Sequence, residues 1–356
     1  MNLYVLDREL NIISIIDSFE SCIWNVSYFE YGDFELYIPA TIENVKTLQR
    51  EHYIVRDIDI IDGKLYDAMV IESIGIKTDV SNGNYLTVKG RCLKSLLSRR
   101  IIWTQTNVSG TVESCMRTLI AENAINPTDT DRTIPKLRLG EIKGYTETLS
   151  KQLTGVNLGE AIIDICTTYG IGWRVYIDKD KSLIIDFHKG KDLSDNQSDN
   201  PRITFSTEFD TLLNSDYNLN TQNYKNIALV AGEGEGTARK TVTVGSAMGL
   251  DRYELYVDAR DQSTNDGEIS TSEYYSQLSE KGTESLEVAA YTESFEGEIE
   301  TLSNFQYGAD YNIGDIVNVE NEYGITATPR IIGVIKSVSN SGESIIPTFS
   351  TWKGEN

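Results

Sequence analysis

Hydrophobic and polar positions alternate along the first 90 residues. The runs LYVLD (3–7), NIISIID (11–17), IWNVSYFEY (23–31) and DFELYI (33–38) are rich in Ile, Val, Tyr and Phe and are separated by Asp, Asn and Gly, so they predict strands. In the fourth, Phe34, Leu36 and Ile38 alternate with Asp33, Glu35 and Tyr37, which gives one buried face. A short helix is predicted over 41–50 from Ile42, Val45 and Leu48, followed by strands near 53–60, 65–77 and 84–90. A meander of this kind curls into a small barrel or sandwich. From about residue 91 the period changes. Cys92, Leu93, Leu96 and Leu97 fit a short helix, and Val112, Cys115, Met116, Leu119 and Ile120 fit an amphipathic one. The stretch 126–153, with Pro127 and Pro135, reads as irregular.

The clearest local signal follows. Asn157 is placed to cap a helix, Glu160 stands where a capping-box carboxylate belongs, and Leu158, Ala161, Ile162, Ile165, Cys166 and Tyr169 share a face that Gly170 closes. The runs 173–177 and 182–188 then predict a hairpin packed under that helix, and the polar run 190–200 predicts a loop or mobile excursion. Strands return at 226–231, 240–244 and 253–259. A helix is expected at 271–281, then strands near 285–296, 315–320, 330–338 and 345–349. The predicted class is α+β and mainly β. Four parts are expected: an N-terminal β-barrel-like domain (1–90), a helical and irregular part (91–155), an α/β part with a helix on a hairpin (156–220), and a C-terminal β-barrel-like domain (221–356) holding the helix near 271–281.

Composition narrows the function. The chain has 356 residues, 32 Lys+Arg against 54 Asp+Glu, and a formal net charge of −22. Such a charge repels phosphate and disfavours nucleic-acid binding. No apolar run is long enough to span a membrane, and the N-terminus carries no signal-peptide pattern. The charge is uneven. Residues 251–356 hold 20 Asp+Glu and 6 Lys+Arg, whereas 80–112 hold no acid but contain Lys89, Arg91, Lys94, Arg99 and Arg100. Two readings of that basic stretch are open: a solvated helix face, or a contact surface for an acidic neighbour.

Candidate chemistry is sparse. His52 and His188 are the two histidines, so a His-rich metal site is not expected and His-based acid–base chemistry has at most these candidates. Cys22, Cys92, Cys115 and Cys166 show no CxxC spacing and read as buried thiols. Gly232-Glu-Gly-Glu-Gly236 follows a strand, but its spacing is not that of a dinucleotide fingerprint and its glutamates repel a phosphate, so a hairpin loop is expected. The clusters Glu293, Glu296, Glu298, Glu300 and Asp258, Asp261, Asp266 have the residue type for glycoside hydrolysis or calcium binding. In a chain this acidic, and with the glutamates alternating as on the wet face of a strand, they also read as solvated surface. No catalytic, cofactor-binding or metal residue is assigned.

Six segments in order carry a resemblance: YFEYGDFELYIP (28–39), VKGRCLKSLLSRRII (88–102), NLGEAIIDICTTYGIGWRV (157–175), NIALVAGEGEG (226–236), DRYELYVDARD (251–261) and YGADYNIGDIVNVENEYGI (307–325). Together they resemble the tail-tip hub, or N-terminal tail-associated, proteins of long-tailed phages and prophages. Those share a fold with the hubs of contractile tails and the base of type VI secretion spikes. The resemblance implies a homotrimer whose paired barrel domains form a pseudo-sixfold ring. That ring adapts a sixfold tail tube or distal tail ring to a threefold tip and gates the DNA channel. It implies as partners the distal tail protein ring, the C-terminus of the tape-measure protein, and tail-tip spike or receptor-binding proteins. It places the chain in the virion tail tip, assembled in the bacterial cytoplasm, with DNA passing through unbound. Related proteins often continue into a large C-terminal region, whereas this chain stops where such a hub stops, so no enzymatic role is expected; no cofactor is expected either. The alternatives are a tail-associated cell-wall peptidase or glycosidase, or the hub of a contractile bacteriocin or injection machine.

Overall fold

The computed structural model describes residues 1–79, 83–213, 215–264, 268–296, 305–339 and 342–350. Its largest element is a curled sheet of nine strands, in the order Ile12–Ile16, Leu3–Leu6, Tyr53–Arg56, Met69–Asp79, Gly83–Cys92, Asp33–Pro39, Ser21–Ser27, Ile331–Ser339 and Gly342–Phe349. Every neighbouring pair is antiparallel. The two ends of the chain therefore meet in one sheet, with Gly333 opposite Ser27 and Ser339 opposite Ser21.

Alternation explains why the central strands read as continuous apolar runs. Ile54, Met69 and Ile71 face one core with Leu3, Val5, Trp24, Phe34, Leu36 and Val88. Their neighbours Val55, Ala68 and Val70 face a second core on the opposite side. A strand buried on both faces has no polar side to show.

The second core is closed by helices. α1 (Ile42–Thr47) is a single short helix capped by Thr41, whereas α2 (Val112–Ile120) and α3 (Leu158–Tyr169) pack over the sheet through Cys115, Met116, Leu119, Ile162, Ile165 and Cys166. The Asn157 side chain accepts hydrogen bonds from the backbone of Gly159 and Glu160, and Gly170 ends α3 at φ 63°. Side-chain oxygen at the start and a residue tolerant of left-handed backbone at the end are what the segment supplies. The hairpin Gly172–Ile177 and Leu183–His188 follows, and Lys64–Leu65 from the N-terminal region adds to its edge.

A third core, around Phe205, Phe295, Tyr311, Val319, Ile331 and Phe349, joins the residues after 190 to the C-terminal hairpin. In a fourth, α4 (Thr271–Val288) covers one face of a three-stranded sheet, Thr241–Val244, Ile227–Ala231 and Glu254–Asp258.

Several elements differ from expectation. α4 continues to Val288, so the strand expected from 285 begins at Thr292. Tyr274 and Leu278 anchor the helix, and Gly282 lets it approach Val230 and Val244, where a Cβ would lie 2.7 Å from each side chain. The stretch 126–153 contains the strands Leu137–Leu139 and Thr148–Leu153, which find partners at Leu183–Ile185 and Thr106–Thr111. In the run 315–320 only Asn318–Glu320 forms a strand. Residues 190–200 are held in place: the Ser194 N–H donates to the Asp192 carboxylate, the Asn196 N–H donates to the Ser194 hydroxyl, and the Asn200 side chain donates to the Asp192 carbonyl at 3.1 Å. The class is mainly β with helices added, the α+β class expected.

Candidate functional site

The titratable residues singled out from the sequence do not converge. All four cysteines are free and buried, and burial pushes the Cys22 thiol up to about 12, which removes thiolate nucleophiles at neutral pH. His52 sets its Nδ1 2.8 Å from the Thr47 carbonyl oxygen. The glycine-glutamate loop links the strands Ile227–Ala231 and Thr241–Val244. Glu233 is spent on the ammonium of Lys240 and, outside the loop, on the backbone and hydroxyl of Thr264. Asp258 is paired with Arg239 and Arg260, and Asp261 with Lys281. Asp266, Glu298, Glu300 and the side chains of Glu293 and Glu296 lie outside the described residues. Among the described residues, no three or more His, Cys, Asp or Glu are grouped to hold a metal ion, and no helix is long and apolar enough to cross a membrane.

The basic stretch is used within the chain. Lys89 pairs with Glu35 at 2.6 Å, Arg91 with Glu72 at 2.8 Å and Arg99 with Glu51 at 2.7 Å, while Arg100 donates to the Arg132 carbonyl. Lys94 is buried. Its ammonium donates to the carbonyls of Ser27, Tyr28 and Glu30 at 2.7, 3.2 and 2.8 Å and lies 5.2 Å from the centre of the Trp173 ring.

Those bonds fix the segment where three parts of the chain meet, and Tyr28 is at its centre. Its side chain is 1% exposed. The hydroxyl donates to the His188 carbonyl at 3.0 Å and accepts from the Gly190 backbone at 3.1 Å. The backbone N–H of Tyr28 donates to Ile332 in the C-terminal strand at 2.7 Å. The Trp173 indole donates to the Phe29 carbonyl at 2.8 Å, and the Arg330 guanidinium lies 5.7 Å from the Tyr28 ring centre. Two glycines make room for the ring. A Cβ on Gly172 would come within 2.1 Å of it, and one on Gly314 within 2.3 Å. Tyr28 thus pins the N-terminal sheet to the middle hairpin and to the C-terminal part.

A cavity of about 520 Å³ lies beside this pin, lined by Tyr28, Asp59, Asp67, Trp173, His188 and Tyr307 among others. At one end, buried Arg56 holds Asp59 through Nε at 2.5 Å and Nη2 at 2.9 Å, with its guanidinium 5.0 Å from the Trp24 ring centre. Burial raises the Asp59 carboxyl to about 6 against the opposing pull of Arg56. At the other end, the imidazole of His188 stands edge-on to Tyr28 at 5.2 Å, and its Nδ1 has no hydrogen-bond partner among the described residues. Burial, with the charges of Arg174 and Lys94, pushes His188 down to about 3. A histidine that refuses a proton at neutral pH, and whose Nδ1 meets no hydroxyl or thiol among the described residues, is poorly suited to serve as a general base through that nitrogen. In the sequence the aromatic residues before Gly32 and the glycines Gly170 and Gly172 are two separate features, and nothing local joins them.

The histidine has a measurable consequence. Its folded pKa lies below the unfolded value, so below about pH 6.5 the unfolded chain binds a proton that the folded chain does not. Its contribution is present above pH 6.5 and is lost on acidification towards 3. The difference in unfolding free energy between wild type and His188→Gln is expected to shrink by about 1.4 kcal/mol per pH unit between pH 6 and 4. Taking the difference cancels Asp59, whose raised pKa gives the opposite slope. Urea titrations of both proteins across that range check it; a constant difference would rule the assignment out.

With the geometry in hand, comparison with known proteins gives a family. Residues 2–350 match the model of the siphovirus ReqiPepy6 Gp37-like proteins. The chain belongs to this family. No curated protein is matched in sequence. Solved structures share the fold over nearly the whole chain. The tail protein from Neisseria meningitidis MC58 has a TM-score of 0.59 at 15% identity, covering 99% of this chain and 96% of that one. The 43 kDa tail protein of prophage MuSo2 from Shewanella oneidensis has a TM-score of 0.60 at 13% identity, covering 99% and 98%. The prophage tail protein gp18 from Listeria monocytogenes EGD-e has a TM-score of 0.57 at 14% identity, covering 100% and 96%. At such identities the likeness of this Gp37-like chain to them is a likeness of fold.

Proposed function

We propose that this chain is a structural subunit of a phage or prophage tail tip and acts by geometry, without catalysis. The observation that carries the reading is end-to-end agreement of fold with three tail proteins, with no large part left over on either side. The internal construction supports it. Cations that an enzyme would present to substrate are spent on carbonyls and carboxylates that lock one part to the next.

In this reading three copies form a ring at the distal end of the tail. The parts 1–90 and 221–356 build the collar, and the parts between project from it. The ring adapts a sixfold tube or distal tail ring to a threefold tip, meets the end of the tape-measure protein and a spike or receptor-binding protein, and gates the passage of DNA. Assembly takes place in the host cytoplasm. A net charge of −22 on each copy suits a wall along which phosphates slide without sticking.

The test is mass and shape. Light scattering of the purified chain is expected to give three times the monomer mass, and negative-stain images a threefold ring with a central hole. A chain that stays single at all concentrations and is missing from the distal end of assembled particles would overturn the reading.

A further inference from the structure

Among the described residues the nine-stranded sheet has two unpaired edges, and they are built differently. At one edge, Gly342–Phe349 carries Pro347, opposite Val334, and Glu343. A proline in a ladder offers no N–H to a further strand, and edge charges and prolines block strand addition. At the other edge, Ile12–Ile16 has no proline and no charge, and no strand lies beyond it among the described residues. Ile12, Ile13 and Ile15 are 54, 45 and 55% exposed, whereas Ile16 turns into the core. Unpaired backbone beside three exposed isoleucines is a template for another strand, and isolated proteins ordinarily protect such an edge.

We infer that the Ile12–Ile16 edge receives an extended segment of a different, basic subunit, which adds to the sheet as a tenth strand. Charge selects the occupant. Residues 7–20 hold the carboxylates Asp7, Glu9, Asp17 and Glu20 against one arginine, Arg8. Lys136 and Lys181 reach the Glu9 carbonyl and the Asn11 side chain from the middle of the chain, so the Asp17 end is the more acidic. A second copy fits poorly. Antiparallel pairing of Ile12–Ile16 with itself sets Asp17 of each copy opposite Asn11 of the other, which brings no cation to either carboxylate, between chains of −22 each, and the Pro347 edge cannot substitute. The partner segment alternates β-branched residues, whose side chains cover Ile13 and Ile15, and places a Lys or Arg at the Asp17 end.

The probe is a fluorescein-labelled peptide of alternating valine and threonine with a lysine at each end, titrated into the full chain and followed by anisotropy. Binding is expected, at least about tenfold weaker when glutamates replace the lysines and weaker again as salt rises. N-methylation of alternate peptide residues abolishes it, as does the double substitution Ile13→Lys and Ile15→Lys, whose exposed positions leave the fold intact. Equal binding of the N-methylated peptide, binding unchanged in the double variant, or no binding of any peptide would overturn the inference. So would loss of the assembled mass in the double variant, because the edge would then already be covered by a copy. Retention of that mass leaves the ring reading to stand or fall separately.

Discussion

Tyr28→Ala is expected to lower the unfolding free energy by about 3–5 kcal/mol, the range for deleting a buried aromatic ring that its surroundings cannot fill. Collapse does not offset the loss, because the backbone of Gly172 and Gly314 packs against the ring and the Gly190 N–H holds its hydroxyl. The vacated volume would merge with the 520 Å³ cavity that Tyr28 already lines. Two companion variants separate the contributions. Tyr28→Phe keeps the ring and removes the hydroxyl that bonds His188 and Gly190, which should cost about 1–3 kcal/mol. Gly172→Ala places a Cβ inside the ring's van der Waals surface and should approach the alanine variant in effect. Chemical denaturation with fluorescence of the adjacent Trp173 is the measurement. A Tyr28→Ala protein within about 0.5 kcal/mol of wild type would show that the three parts do not depend on this pin.

Asp59→Leu should be comparably severe, about 3–5 kcal/mol, because it leaves the Arg56 guanidinium buried with no counter-charge. Among the described residues Arg56 already has one nitrogen, Nη1, without a partner, so it finds no spare acceptor there. The double variant Arg56→Met with Asp59→Leu should recover most of the loss, since two apolar side chains of similar size avoid burying any charge. Melting temperatures of the two variants and wild type decide it. If the double variant is as unstable as the single, the pair is valuable for its packing against Trp24 and not for its charge. Asp59 also makes this pair sensitive to pH. Its folded pKa is raised to about 6, so the carboxyl favours the folded state most when protonated, and that advantage is lost as pH rises through 6.

The expected and observed elements diverge according to how far each signal reaches. α3 was legible to its ends because its cap, its apolar face and its terminating glycine all lie within 14 residues, from Asn157 to Gly170. The hairpin after it needed only its own alternation. α4 was placed but cut short, since the residues after Gly282 carry little apolar patterning and are held by contacts from afar, Leu286 on the fourth core and Glu284 on Lys151. The strands at Leu137–Leu139 and Thr148–Leu153 went unread because each is extended by its partner and not by its own composition. The basic run at 89–100 is the sharpest case. It reads as a charged surface, yet Glu35, Glu72 and Glu51 come from other strands and turns to neutralise it, and Lys94 is drawn wholly inside.

The family came from the resemblance of six ordered segments; the mainly β class with added helices came from periodicity, caps and turn residues, which act over one or two turns of backbone. Tertiary structure alone decided that Ile331–Ser339 lies beside Ser21–Ser27, that one tyrosine ties three parts together, and that one edge of the sheet is open while the other is closed. Those outcomes depend on which distant surfaces exclude water together, and no local stretch of residues carries that information.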